Sequence, residues 1–228
     1  MGPTFTFAGV SSATNGLVVK KMPPVQLAEA RGEAIEVEGR DGYLYQDYAS
    51  LAPLEKPIQV TLTDLTKINT IKAWLRGEGN LVLSTEPDVF YKARVVGRID
   101  LERWQLLRAG TIQFLCQPHG YLSSGLTPVT KTTTPATITN PGTAPSKPVI
   151  KVTGSGDVTL TINAKNVILT GISGYVTVNS ELEECYKDLV GKNNTMTGEW
   201  PELVVGSNAI SWTGTVTSVK ITPNWRNL

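Results

Sequence analysis

The sequence predicts a mainly β protein of two domains: an N-terminal β-sandwich-like domain with one short α-helix, and a small C-terminal β-sandwich. Three observations carry this. Apolar and polar residues alternate in short runs along most of the chain, most cleanly over 57–63 and 158–163. Helical spacing is convincing once, at Leu65, Ile68, Ile71 and Leu75. Between 123 and 148 large apolar residues almost vanish, and Ser, Thr, Gly and Pro replace them.

Taken in order, residues 4–10 form the first strand signal, with Phe5 and Phe7 on one side. Asn15-Gly16 turns the chain into a second strand at 17–20, and Pro23-Pro24 breaks it. The run 25–37 sets Ile35 and Val37 against Glu36 and Glu38, which suits a sheet with one wet face. Gly39-Arg40-Asp41-Gly42 is a turn or exposed loop. The strand at 57–63 leads into the helix, for which Asp64 is the N-cap and Gly77 the residue able to end it in a left-handed conformation. Strands follow at 81–83, 91–96 and 111–116, the last stopped by Gln117-Pro118. The expected domains are 1–140 and 148–228, with a linker or crossing tract over roughly 123–147. The second domain shows short strands at 149–152, 158–162, 167–169, 175–178, 182–186, 203–205, 209–212 and 216–222.

Composition narrows the function. Lys plus Arg total 21 and Asp plus Glu 20, for a net charge of +1. Residues 141–228 hold 7 basic and 7 acidic side chains, so neither half is a basic module, and a primary nucleic-acid-binding role is not expected. The longest apolar runs fall far short of the ~20 residues that span a bilayer. The N-terminus lacks a basic segment and an apolar core, so a protein made and kept in the cytoplasm, or leaving it within an assembly, is expected. Cys116 and Cys185, 69 positions apart, suit buried free thiols rather than a disulfide or a metal site.

No motif for catalysis, metal or cofactor emerges. His119 is the single histidine, and a strand would point it away from Cys116. Gly77-Glu78-Gly79 and Gly154-Ser155-Gly156 precede strands rather than the helix N-terminus that a phosphate loop needs. Glu181, Glu183, Glu184 and Asp188 suit a solvated edge that discourages strand-to-strand aggregation. Trp200 and Trp212 suit a sandwich core, with stacking on saccharide as the alternative; Tyr186 joins them as a candidate stacking surface. No catalytic, cofactor-binding or metal residue is assigned, and the chain is not expected to be an enzyme.

Several segments in order and spacing carry a family resemblance: Gly39-Arg40-Asp41-Gly42, residues 71–81, 87–94 and 114–118, and Asn140-Pro141-Gly142-Thr143-Ala144-Pro145 running on to Pro148. The chain resembles the siphophage distal tail protein (Dit) family. The resemblance implies a virion structural protein, assembled in the bacterial host cytoplasm. Its N-terminal domains would close a hexameric ring under the tail tube, with an axial channel through which DNA passes without specific binding. Its C-terminal domain would be a minimal galectin-like sandwich. Implied partners are the tail tube protein, the tape measure protein and the hub or tip protein, with a receptor-binding protein as a further partner and no membrane. Heterologous contacts must close such a ring, and residues 39–54 are long enough to reach a neighbour. The alternative function is a carbohydrate-binding module that recognises host cell-surface saccharide through the C-terminal sandwich.

Overall fold

A computed structural model describes residues 2–97 and 107–228, and the chain divides into two compact units, residues 1–120 and 121–227. Residues 1 and 98–106, which fall in the expected first domain, lie outside the described residues.

The first unit contains β1 (Phe5–Phe7), β2 (Val10–Ser11), β3 (Leu17–Lys21), β4 (Ala30–Glu36), β5 (Tyr43–Leu51), β6 (Leu54–Leu62), α1 (Ile68–Trp74), β7 (Glu78–Leu83), β8 (Glu86–Val96) and β9 (Ala109–Cys116). Seven of these strands run antiparallel within one sheet in the order β2-β1-β7-β8-β9-β6-β3. The alternation of β6 is obeyed along its length: Leu54, Lys56, Ile58, Val60 and Leu62 all point inward. With Phe5, Phe7, Leu81, Ile112 and Phe114 they build one core. The single strand expected at 4–10 is instead a tight hairpin, β1 to β2, reversed at Ala8 and Gly9, both with positive φ.

The helix begins differently from its expected form. Asp64 does cap, its carboxylate accepting the Thr66 N–H at 2.9 Å, but the first turn, Leu65–Lys67, is a 3-10 turn. That tighter turn rotates Leu65 off the apolar stripe and leaves it exposed, while Ile68, Ile71 and Leu75 are buried. Gly77 follows at φ +96° and ends the helix as anticipated. Trp74 fixes α1 to β1: its ring stacks on Phe5 at 5.7 Å, and its Nε1 donates to the Phe7 carbonyl at 2.9 Å.

The second unit takes β10 (Gly120–Leu122), β11 (Val129–Lys131), β12 (Ala136–Asn140), β13 (Val149–Ile162), β14 (Lys165–Asn179), β15 (Glu184–Lys187), β16 (Val190–Gly191), β17 (Met196–Gly198), β18 (Gly206–Thr222) and β19 (Arg226–Asn227). Three pairs of short strands expected separately are continuous: β13, β14 and β18 run 14, 15 and 17 residues. Each bends part-way, where the register between β13 and its neighbours slips. Glycines allow the bend; a Cβ on Gly154 would stand 2.2 Å from the Thr215 carbonyl oxygen, and one on Gly214 2.3 Å from that of Asp157. The bend brings Ile150 and Val152 from one half of β13 into the same core as Val158, Leu160 and Ile162 from the other.

The 123–147 tract is not a bare linker. Both β11 and β12 within it pair with β18, Val129 opposite Ile221 and Ile138 opposite Asn208. Buried Asn140 then donates to the carbonyls of Ala144 and Leu203, each at 3.1 Å. These polar side-chain anchors, not apolar bulk, explain how a tract so poor in large residues packs.

Candidate interaction surfaces

β4 and β5 form a hairpin of their own, with Ile35 opposite Leu44 and Ala34 opposite Tyr45. The one-wet-face expectation for 25–37 does not hold, because both faces of this hairpin are exposed. Ile35, Val37, Tyr43, Leu44, Tyr45 and Tyr48 all present apolar surface to solvent. The base is anchored, since Ala28 lies in the core and the Ala52 N–H donates to the Glu29 carbonyl at 2.7 Å. Along the arm, the Tyr45 ring covers Gly32, where a Cβ would meet it at 2.5 Å. Tyr48 donates to the Glu33 carboxylate at 3.1 Å. A two-stranded ribbon without a packed face is marginal alone in water, and clustered apolar exposure marks a contact surface. The residues 39–54 expected to form a reaching loop are thus a turn and a nine-residue strand.

The three aromatic candidates are separated by the structure. Trp212 is 8 % exposed and belongs to the second core. Trp200 is half-buried beside a cavity of about 50 Å³ rimmed by the Lys165–Glu199 ion pair at 2.6 Å. Tyr186 lines an open groove of about 400 Å³ with Leu182, Glu184, Asp188, Leu189 and Asn193. The acidic group is divided as well: Cys185 points into the core, and Glu184 and Tyr186 lie on the other side of β15. Asp188 accepts the Tyr175 hydroxyl, which raises the pKa of that phenol.

One inward cluster was not anticipated. Lys56 is only 2 % exposed, and its Nζ stands 4.1 Å from the centre of the Tyr91 ring. Tyr91 donates to Glu86 at 3.0 Å, and Cys116 lies within the same field. Burial lowers the Lys56 pKa against the pull of Glu86, and burial pushes the Cys116 thiol up to about 11. The signal was present: Lys56 occupies an inward position of an otherwise strict alternation. Both cysteines are free and buried. Among the described residues no group of three His, Cys, Asp or Glu side chains is placed to hold a metal, and no helix is long and apolar enough to cross a membrane.

No protein-family model matches the sequence, and no curated protein matches it. Solved structures do. The Dit protein of phage SPP1, described as a paradigm of the hub adsorption apparatus in phages infecting Gram-positive bacteria, superposes with a TM-score of 0.73. That match covers 97 % of this chain and 98 % of that one, at 18 % identity. A chain of the phage p2 baseplate in its activated conformation matches with TM-scores of 0.51 with strontium and 0.50 with calcium. Identities there are 6 % and 7 %, over the same shares of each chain. The mainly β, Dit-like fold expected from the sequence is the fold of this chain.

Proposed function

We propose that the chain is a structural protein of a phage tail, an adaptor rather than an enzyme, working as a hexameric ring between the distal end of the tail tube and the tail-tip or baseplate hub. The observation that carries this reading is the likeness to SPP1 Dit over nearly the whole of both chains. The exposed arm supports it. A closed ring needs a heterologous contact in which one patch meets a different patch on the next copy, and β4–β5 offers apolar surface that no described residue covers. The ring leaves an axial channel for DNA, and a net charge of +1 suits a conduit that must not hold its cargo through phosphate contacts. The C-terminal unit stands as a minimal galectin-like sandwich. Partners are the tail tube, tape measure and hub proteins, with a receptor-binding protein as a further neighbour, all in the virion and assembled in the host cytoplasm.

Light scattering and negative-stain imaging test it. Rings of six 24.6 kDa chains are expected, formed alone or on addition of the tail tube protein. A chain that remains monomeric in both conditions overturns the reading.

A further inference from the structure

We propose that the groove beside Tyr186, at the β15–β16 hairpin, is a binding site for a neutral saccharide. The proposal is independent of ring assembly, since every lining residue belongs to one hairpin and its flanks in one chain.

The volume of about 400 Å³ lies within the range of small-ligand clefts. The cavity beside Trp200, about 50 Å³, has no room for a sugar ring, and Trp212 presents no face to solvent. Of the three aromatic side chains, Tyr186 alone pairs a ring with space. That space has a structural cause. The residue opposite Tyr186 across the hairpin is Gly191, and a Cβ there would meet nothing within 4 Å. The backbone that carries the ring is tied in place, and alternation sets the ring opposite in direction to fully buried Cys185. The Cys185 N–H donates to the Asn193 side chain at 2.6 Å, and the Lys192 N–H to the Cys185 carbonyl at 2.6 Å.

The lining chemistry suits a polyol with one apolar face. Leu182 and Leu189 expose their side chains at the rim, where the C–H face of a pyranose would lie. The Tyr186 hydroxyl and the Glu184 carboxylate have no hydrogen-bonding partner among the described residues, so a donor and several acceptors stand ready for sugar hydroxyls. Glu184 and Asp188 are the charged groups of the lining, with no Lys or Arg among it, which disfavours uronic or phosphorylated glycans. The absence of a three-ligand group among the described residues argues against a metal in the same place.

The test is binding of the full chain to immobilised neutral glycans (β-galactosides, α-glucosides and N-acetylglucosamine oligomers), with polygalacturonate as the anionic comparator. At least one neutral class should bind in preference to polygalacturonate. Tyr186→Ala should weaken that binding about tenfold, the scale of a truncated aromatic anchor. Gly191→Leu fills the open space from an exposed position and should do the same, while thermal unfolding confirms that both variants fold. No binding to any neutral class, stronger binding to polygalacturonate, or variants that bind as the wild type does would each overturn the proposal.

Discussion

Lys56 shows how one residue can sit against the pattern that surrounds it. Its neighbours on the inner face of β6 are apolar, and its ammonium rests on the Tyr91 ring with Glu86 as the nearest opposite charge. Desolvation of that ammonium opposes folding, so Lys56→Met should leave stability unchanged or raise it by about 1 kcal/mol. Glu86 is not stranded by the change, because Tyr91 still donates to it. The sign with pH follows from the lowered pKa. The folded state bears the full cost while lysine is protonated in both states, and the cost is relieved as pH rises from the folded pKa toward lysine's ordinary 10.5. Chemical denaturation across this range should therefore show the gap between Lys56→Met and wild type narrowing with rising pH. Cys116 runs the other way. With its thiol at about 11 against an ordinary 9.0, it contributes stability below pH 9 that is lost as pH climbs toward 11. Neither thiol should react with a thiol reagent in the native state at pH 8, and both should react in denaturant; fast native labelling would contradict the burial of either.

Among the elements, the β4–β5 arm and the α1 staple differ in what supports them. Trp74 joins α1 to β1 by a stacked ring and a hydrogen bond, so Trp74→Ala should cost about 3 kcal/mol, read as a drop in melting temperature. The arm has no such support among the described residues. Replacing residues 31–50 by a short Gly-Ser turn should leave the melting temperature close to wild type yet abolish higher oligomers in light scattering. Hexamers that persist without the arm would move the contact elsewhere. Its turn was legible in the sequence at Gly39-Arg40-Asp41-Gly42, but its second strand, β5, was not, since 39–54 reads as a reaching loop. Nor was its isolation. The alternation of Ile35 and Val37 with Glu36 and Glu38 implies a covered face, and only the tertiary structure shows that none of the described residues covers it. The 3-10 start of the helix was hidden for a related reason: Leu65 fits the helical stripe by spacing, and a half-turn of tighter winding removes it.

For the whole molecule, the division at 120/121 makes a prediction that the composition alone reverses. Low apolar content over 123–147 suggested a boundary near 148, whereas β11 and β12 complete the sheet around β18. A fragment of residues 121–228 should fold cooperatively, and one of residues 148–228, which lacks β11, β12 and the core residue Ile138, should aggregate or stay molten; a well-folded 148–228 fragment would place the boundary near 148. By itself the sequence determined the β class, the two-unit plan, the place of the helix and the free buried thiols, because alternation, capping and cysteine spacing act over a few neighbouring residues. The tertiary structure alone decided the rest. It joined short strands into long bent ones, turned a polar tract into paired strands, left an arm exposed among the described residues, and buried Trp212 while setting Tyr186 beside an open groove. Each of these depends on what lies across a sheet or opposite a glycine, and residues far apart in sequence supply that neighbour.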